Sequence, residues 1–380
     1  MLTAIQNAKF FTGTTYIQNQ FLVFEEDKIL GFYDDLDSFS EIKVLDFKNK
    51  YCVPGFIDLQ INGGAGIYFA QDFSQSAIQS IADIYRKYGT TSFLPTQVST
   101  KLDKIYQGIE SVKIAMKDPL SGVLGIHIEG PYLNPVKRGA HLSKYLRKPD
   151  MAELEKLIEA GRDTIGLLTI APELFTDEQL ALLRESGIRL SAGHSNATYE
   201  QAKDFYKKGI TKVTHLFNAM SSFQSREPGL VGAFFDTPEL YGAIIADGKH
   251  VDYTSLRIAH RLKKGKLFFV TDSVFVDFQG TRFEFDGFNI RLENGAFIND
   301  ENNLAGAAIT MQDAIYNSIK YAEIPEEDAF KMATSIPAEY LGMSDKIGNL
   351  KAGAFADFVI LDQDYQVEEV FFKGVKHQQK

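Results

Sequence analysis

A glutamate and two histidines occupy positions from which they could bind a divalent metal ion. Glu129 follows the run GIHI, His194 lies in SAGHS and His215 lies in THLF, so each ends a strand-like segment. Carboxylate and imidazole groups are typical ligands of zinc and other divalent first-row metals, and three protein ligands leave room for water and substrate. Taken singly, Glu129 could cap a strand end, His194 could enter a helix and His215 could be a core histidine. Together the three residues favour a metal site.

Asp272 is the best candidate for proton transfer beside such a metal. It follows four apolar residues and a threonine in LFFVTD, where a carboxylate is costly unless it is paired or functional. An aspartate there could take a proton from a metal-activated water and later give it to a leaving amine. The ordinary alternative is an aspartate that caps the following helix.

The remaining histidines are weaker candidates. His127 lies two residues before Glu129 and so shares its strand face, which favours a place beside the site over one in the core. His141, in the loop segment KRGAH, could reach the mouth of the site. His260 falls in a helical stretch and is interpreted as structural, whereas His377 lies in the tail and is expected to be solvated.

The middle of the chain alternates between strand-like runs and amphipathic helical stretches. Eight runs occur: FIDLQIN, TSFLPTQV, VLGIHIEG, IGLLTIAP, IRLSAGHS, KVTHLFNA, YGAIIADG and KLFFVTDS. Such alternation predicts a parallel sheet, and eight units in about 290 residues fit an α/β fold of the TIM type, the (β/α)8 barrel, better than an open sheet. The metal and proton-transfer candidates, with Gln60, Asn62 and His250, fall at or just after strand ends. These ends meet on one face of a barrel, where catalysis occurs.

Strand-rich segments flank this middle part. Residues 1–53 and 345–380 are rich in β-branched and aromatic residues without a helical period, so they predict one small β-sandwich-like domain formed by both termini. The barrel would then span residues 54–344. Residues 277–303 alternate like hairpins and are interpreted as an insertion after the eighth strand, with two further helices closing the barrel.

Composition narrows the classes of partner and compartment. The 380-residue chain carries a formal net charge of −10 and no long Lys/Arg run, which argues against nucleic acid as a partner. An anionic ligand would need locally placed cations, and Arg226, in the loop segment SREPG, is one candidate. The single cysteine, Cys52, excludes an internal disulfide. No apolar run approaches the roughly 20 residues of a membrane helix, and the N-terminus is not signal-like, so we expect a cytoplasmic protein without membrane contacts.

The motifs together resemble those of the N-acetylglucosamine-6-phosphate deacetylase family, which belongs to the amidohydrolase superfamily. The matching segments, in family order over nearly the whole chain, are PGFIDLQINGGAG (54–66), GIHIEGPYLN (125–134), KRGAH (137–141), SAGHSNAT (191–198), THLFNAM (214–220), PGLVGA (228–233), IIADGKHVD (244–252), VTDS (270–273) and LAGAAITM (304–311). The ending IGNLKAGAFADFVILD resembles the closing strands of the superfamily. Several of these segments are too long for chance agreement.

The resemblance implies a (β/α)8 barrel with a small β domain built from both termini. It implies metal ligation by Glu129, His194 and His215, and acid/base catalysis by Asp272. His141 would lie near the acetyl carbonyl of the substrate.

The resemblance also implies a phosphorylated amino sugar as the small-molecule substrate. The residues that would bind it are His141, Asn218, Ala219, Arg226, His250, Gln60, Asn62 and Ala307, and those expected at its phosphate are Asn218, Ala219, Arg226 and His250. In the family, the residue matching Arg226 reaches the site of the neighbouring subunit. A homodimer is therefore implied.

One departure from the wider superfamily concerns the number of metal ions. Most amidohydrolases carry His-x-His at the end of the first strand, where this chain has Gln60-Ile61-Asn62. Residues two apart on a strand share a face, so both amides would point into the site, but carboxamides are poor ligands for a borderline metal. We therefore predict one divalent ion per chain, zinc, with iron, cobalt or manganese as alternatives. The amides would instead hydrogen-bond the catalytic water or the substrate.

The expected reaction is hydrolysis of N-acetyl-D-glucosamine 6-phosphate to D-glucosamine 6-phosphate and acetate by a metal-activated water. Asp272 would act as acid/base, and His141 would help to stabilise the oxyanion. A first alternative is another amidohydrolase, such as a D-aminoacylase or a dihydroorotase, and the missing His-x-His and the HIEGPY and IIADGKHVD motifs argue against it. A second is a catalytically inactive barrel that serves as a binding or scaffold protein. The intact Glu/His/His/Asp set argues against that alternative.

Overall fold

The chain forms a parallel β/α barrel with a smaller all-β domain beside it. A computed structural model describes residues 2–377 of the chain. Residue 1 and residues 378–380, the outer ends of the predicted small domain, lie outside the described residues. The predicted fold class, an α/β TIM barrel with a small domain drawn from both termini, is confirmed.

The N-terminal segment supplies seven short strands to the small domain. Their bounds are β1 Leu2–Gln6, β2 Lys9–Phe11, β3 Tyr16–Ile17, β4 Phe21–Glu25, β5 Lys28–Tyr33, β6 Lys43–Asp46 and β7 Tyr51–Pro54. One sheet runs in the order β5-β4-β1-β6, with β1 antiparallel to β4 and parallel to β6. Short strands joined by turns match the absence of a helical period in this part of the sequence.

Eight parallel strands form the barrel in chain order. Their bounds are β8 Phe56–Ile61, β11 Thr90–Val98, β12 Ile126–Glu129, β13 Ile165–Ile170, β14 Leu190–Ala192, β15 Ile210–Val213, β16 Tyr241–Ile244 and β17 Leu267–Phe269. A hairpin of β9 Gly63–Gly64 and β10 Ile67–Tyr68 follows the first barrel strand. Each predicted run overlaps one barrel strand, because strands covered on both faces appear in a sequence as nearly continuous apolar runs.

The first and eighth barrel strands meet at their C-terminal ends. Asn62 N donates to Ser273 O at 2.9 Å, and Asp272 N donates to Gln60 O at 3.0 Å. These bonds bring the amide side chains of Gln60 and Asn62 beside the Asp272 carboxylate. Closing the barrel therefore also builds part of the site.

Helices cover the outside of the barrel. Within residues 2–377 their bounds are α1 Gln75–Lys87, α2 Leu102–Ala115, α3 Met151–Gly161, α4 Asp177–Glu185, α5 Tyr199–Ala202, α6 Gly229–Asp236, α7 Tyr253–Leu262, α8 Met311–Lys320, α9 Glu326–Ala333 and α10 Ser335–Leu341. Helix α1 shows why such segments are helical. The Ser74 side chain caps it by accepting from Ala77 N, and Ile78, Ile81 and neighbours form one buried face. Among these helices, none combines the length and apolar character that a membrane crossing requires.

An antiparallel sheet is inserted between β17 and α8, where segment 277–303 is predicted to form hairpins. Its strands are β18 Arg282–Phe285, β19 Phe288–Glu293, β20 Ala296–Asn299 and β21 Leu304–Ala307. The sheet extends beyond residue 303 because Ala307 N donates to Asp272 O at 2.9 Å, which ties the last strand to the barrel end. The helices predicted near 307–320 and 325–334 follow as α8 and α9, whereas α10 was not predicted.

The C-terminal segment returns to the small domain. It contributes β22 Phe358–Leu361, β23 Val367–Phe372 and β24 Val375–Lys376 to a sheet in the order β24-β23-β22-β7-β2-β3. Phe10, Phe24 and Phe358 belong to the buried cluster shared by this sheet and the N-terminal one, which matches the predicted sandwich-like arrangement. The predicted domain boundaries after residues 53 and 344 stay a prediction.

Candidate active site

A cavity opens at the C-terminal ends of the barrel strands, with a volume of about 320 Å3. The predicted site residues that line it are Asn62, Glu129, His141, His194, His215, Asn218, Ala219, His250 and Asp272. Gln60 and Ala307 are fully buried just behind this wall, in contact with Asp272. Arg226 is exposed on the loop before α6 and does not line the cavity of its own chain.

Glu129, His194 and His215 present their ligand atoms as a tight triangle. The Nε2 atoms of the two histidines lie 3.1 Å apart, and they lie 3.3 Å (His194) and 3.0 Å (His215) from Glu129 Oε1. Three donors about 2.1 Å from one ion at tetrahedral angles lie about 3.4 Å from each other, so the triangle fits a zinc-sized ion. His141 forms a wider group with Glu129 and His194, whose ligand atoms lie within 4.8 Å of one another. The tighter triangle with His215 matches metal coordination better.

The electrostatics of the triangle favour a cation. Burial raises the pKa of Glu129, but hydrogen bonds from His194 and His215 outweigh burial and hold that pKa well below its ordinary value. Burial lowers the pKa of His215, but the Glu129 carboxylate raises it above its ordinary value. Because ligand imidazoles must be neutral, a metal ion would bind in competition with the proton on His215.

Asp272 is held by one carboxylate oxygen. Its Oδ1 accepts from Asn62 Nδ2 at 2.7 Å and from Gln60 Nε2 at 3.0 Å. Its Oδ2 accepts no hydrogen bond from any of residues 2–377 and remains available to the cavity. Burial, followed by the charge of Glu129, raises the pKa of Asp272, which makes the carboxylate a stronger proton acceptor.

Gln60 and Asn62 share one face of the first barrel strand, as their spacing predicts, and both contact Asp272, but Asn62 lines the cavity whereas Gln60 lies behind its wall. Gln60 Nε2 also donates to Glu129 Oε1 at 3.2 Å, so one amide joins the two carboxylates. In this arrangement the amide nitrogens face the carboxylates. Neither amide belongs to the Glu129/His194/His215 triangle.

His141 is placed to donate a hydrogen bond into the cavity. Ser99 N donates to its Nδ1 at 3.4 Å, which leaves the proton of a neutral ring on Nε2. Burial, followed by the charge of His194, lowers the pKa of His141 to about 3, so the ring is neutral. Its Nε2 lies 3.8 Å from Glu129 Oε2, beside the metal triangle.

Several site residues have left-handed backbone conformations. Non-glycine residues of the cavity with positive φ are His194 at 49°, His215 at 32°, Ala219 at 50°, Asp272 at 50° and Asn302 at 62°. Such conformations are uncommon outside glycine, and residues that adopt them cluster at functional sites. Strand ends alone would not produce them, since strands need negative φ.

The other histidines lie outside the cavity. His127 is fully buried, and its Nε2 lies 2.8 Å from Thr169 Oγ1, so it belongs to the barrel core beneath Glu129 and not to the wall of the site. His260, on α7, lies away from this cavity, with its Nε2 3.2 Å from Oδ2 of Asp328 on α9. His377 is half-buried, so the expectation that it is solvated is wrong, and its backbone N–H donates to Val370 O at 2.8 Å.

Two features of the site were missed from the sequence. The inserted sheet forms part of the wall through Phe285, Phe288 and Ile290, and the alternation of segment 277–303 gave no hint of this position. Asp247 binds the ring of His250, with Oδ2 2.6 Å from Nδ1. Its place three residues before His250, just after a strand, was a usable signal.

Known proteins with similar sequences indicate one family for this chain. The model of the amidohydrolase family matches residues 51–376. The chain is 38% identical over 332 residues to an N-acetylglucosamine-6-phosphate deacetylase of Haemophilus influenzae, with 86% of each chain covered. The chain belongs to the amidohydrolase family. The predicted resemblance to the deacetylases of this family is therefore confirmed.

Two further relatives of this amidohydrolase bear on its fold and substrate. The crystal structure of an N-acetylglucosamine-6-phosphate deacetylase from Pasteurella multocida is 31% identical, with a TM-score of 0.96 and full coverage of both chains. An N-acetylgalactosamine-6-phosphate deacetylase of Shewanella is 36% identical over 327 residues, with 85% of this chain and 82% of that one covered. The family and the buried Glu/His/His cluster together suit a divalent metal site.

Proposed function

We propose that the protein hydrolyses the acetyl amide of N-acetyl-D-glucosamine 6-phosphate to D-glucosamine 6-phosphate and acetate. The observation that carries the proposal is the Glu129/His194/His215 triangle in one cavity with Asp272, whose Oδ2 is available to that cavity. The relatives' activities support the choice of substrate.

Glu129, His194 and His215 would hold the divalent ion. The triangle has one anionic oxygen and two neutral nitrogens, which is a donor set that zinc prefers. When bound, such an ion polarises a carbonyl and makes water nucleophilic near neutral pH.

Asp272 moves the proton. Its Oδ2 accepts a proton from the attacking water while the water oxygen bonds to the acetyl carbon. The C–N bond then breaks, and the same oxygen returns the proton to the departing nitrogen, which leaves as an amine. Gln60 and Asn62 hold Oδ1 throughout, so that Oδ2 keeps its direction.

His141 stabilises the oxygen of the acetyl carbonyl. As attack proceeds, negative charge grows on this oxygen, and a donor fixed in advance lowers the barrier. The neutral ring offers its Nε2 proton because Ser99 N occupies Nδ1.

The phosphate end of the substrate would lie against Asn218, Ala219 and His250, which line the cavity on the side of β15 and β16. Ala307, beside Asp272, would contact the sugar. We further propose a homodimer in which Arg226 of one chain supplies a cation to the neighbouring site, since Arg226 is exposed in its own chain.

Three finer points belong to the same proposal. One ion per chain is supported by Gln60 and Asn62, whose amide nitrogens are engaged with Asp272. Zinc is supported by the donor set of one carboxylate and two imidazoles, which is typical of zinc sites with open positions. A cytoplasmic location is supported by the buried, unpaired Cys52, which suits a reducing compartment.

The test is a coupled assay of amine and acetate release by metal-reconstituted protein. The substrates are the glucosamine and galactosamine epimers, each with and without the 6-phosphate, and an N-acetyl-D-amino acid. Preference for the phosphorylated glucosamine epimer supports the proposal. Preference for the galactosamine epimer would change the substrate, and turnover of the amino acid alone would favour a D-aminoacylase. Metal-loaded protein without turnover of any substrate would favour the inactive barrel.

A further inference from the structure

The turn after β16 holds a buried carboxylate against the ring of His250. Asp247 Oδ1 accepts from Lys249 N at 2.9 Å and from His250 N at 2.8 Å, which closes the turn. Its Oδ2 lies 2.6 Å from His250 Nδ1. The side chain of Asp247 is 1% exposed and that of His250 is 5% exposed. Oδ1 of Asp247 therefore accepts hydrogen bonds from the backbone turn, and Oδ2 contacts the His250 ring.

The contact decides which nitrogen of His250 faces the substrate. A carboxylate accepts a proton and cannot donate one, so Nδ1 must carry the hydrogen. Burial raises the pKa of Asp247, but hydrogen bonds from His250 and the turn lower it below its ordinary value, so the group is a carboxylate. The other nitrogen, Nε2, is left for the cavity that His250 lines.

A phosphate group places a second demand on the same ring. Its oxygens accept hydrogen bonds, so a ring that binds phosphate must also carry a proton on Nε2. With Nδ1 and Nε2 both protonated, the ring is a cation between two anions. The buried carboxylate of Asp247, 2.6 Å from Nδ1, would offset the positive charge of such a ring on the side away from the phosphate.

We infer that Asp247 is a positioning residue for substrate binding: it fixes the Nδ1 proton of His250 and supports the doubly protonated ring against the phosphate of the substrate. The inference rests on the proposed function, since it assumes a phosphorylated substrate. It adds a buried acid that does not line the cavity and that would reach the substrate only through the His250 ring.

The first test is a double-mutant cycle with Asp247→Asn and His250→Gln on N-acetyl-D-glucosamine 6-phosphate. The asparagine keeps an oxygen for the turn but loses the charge. The KM of the Asp247→Asn variant should rise about tenfold, because charge-assisted hydrogen bonds are about twice as strong as neutral ones. Its kcat should stay within about twofold of the wild-type value. The double variant should match His250→Gln alone, since nothing remains for Asp247 to act on. Losses that multiply, or a collapse of kcat, would overturn the inference.

Asn317→Ala is the matched control for damage to the turn. Asn317 Nδ2 donates to Ala246 O at 3.0 Å, so it supports the same turn without touching His250. The KM of the Asn317→Ala variant should stay within about twofold of the wild-type value, because Asn317 shares no hydrogen-bond partner with the His250 ring. A rise in KM equal to that of Asp247→Asn would assign the effect to the backbone and refute the positioning role.

The second test needs no substrate. In protein labelled with 15N-histidine, the signal of His250 is identified by its loss in His250→Gln. Wild-type protein should show a protonated Nδ1, and Asp247→Asn should show that proton moved to Nε2. An unchanged tautomer would refute the inference even if KM rises. If wild-type protein fails to hydrolyse the phosphorylated sugar, the proposed function fails, and this spectrum still decides whether Asp247 sets the protonation of the ring.

Discussion

Replacing Asp272 by asparagine removes the proposed acid/base group and keeps nearly the same side-chain shape. The amide oxygen can keep the Oδ1 position, where it accepts from Asn62 at 2.7 Å and Gln60 at 3.0 Å. The amide nitrogen then faces the cavity in place of Oδ2. Because a carboxamide cannot accept and return a proton at neutral pH, binding should survive and chemistry should not.

The size of the loss follows from the role. A positioned general acid/base contributes about 10²–10⁴-fold to rate, which is about 3–5 kcal/mol of transition-state free energy at 1.36 kcal/mol per tenfold. The structure argues for the upper part of this range. Within residues 2–377, Asp272 is the carboxylate that lines the cavity beside the triangle with an oxygen not engaged by the protein.

The assay is steady-state kcat on N-acetyl-D-glucosamine 6-phosphate, with bound metal measured on the same preparation. Asp277→Asn is the control, since it makes the same chemical change on an exposed residue that contacts Tyr88 at 2.7 Å. It should retain wild-type kcat. If Asp272→Asn keeps its metal and loses less than about tenfold in kcat, below the range of acid/base catalysis, the residue is structural.

Four further predictions concern the metal and the phosphate. His215→Ala should lose both bound metal and activity, because three protein ligands leave no redundancy; full metal occupancy with normal turnover would exclude it as a ligand. Metal affinity, measured with a chelating dye, should fall as pH falls, because the raised pKa of His215 keeps a competing proton on the ring at low pH; pH-independent affinity would contradict this. Elemental analysis of protein prepared without chelator should give one ion per chain, and two ions at full activity would mean that Gln60 and Asn62 do not prevent a second site. Arg226→Ala should raise KM for the phosphorylated sugar and spare the unphosphorylated one, and mixing it with Asp272→Asn should restore activity above either parent if the arginine acts in trans.

The fold could be predicted because buried strands require apolar residues, which are visible in the sequence. Strands covered on both faces need continuous apolar runs, and eight of these alternate with helical stretches along the chain. The extra helix α10 was not predicted, since a seven-residue segment containing Pro337 gives no helical period. The wall formed by the inserted sheet was also missed, because alternation along β19 identifies a strand but not the surface that the strand covers.

Residue types and their spacing are enough to identify the groups that are available for chemistry. Glu129, His194, His215 and Asp272 stand at strand ends, and the rule that such ends converge in a barrel was enough to bring them together. Gln60 and Asn62 were placed beside them by the period of two along a strand. Residue type and element period are local properties, so they can be recognised without coordinates.

The role of each group depends on contacts that form only when the barrel is closed. Two amides that are distant from Asp272 in sequence occupy one of its oxygens and leave the other available, and Ser99 fixes which nitrogen of His141 carries the proton. His127, on the same strand as Glu129, went to the core instead of the site because Thr169 on the next strand binds its ring. The physical reason is that proton position and charge depend on hydrogen-bond partners a few ångströms away, and closing the barrel supplies those partners from strands far apart in the chain.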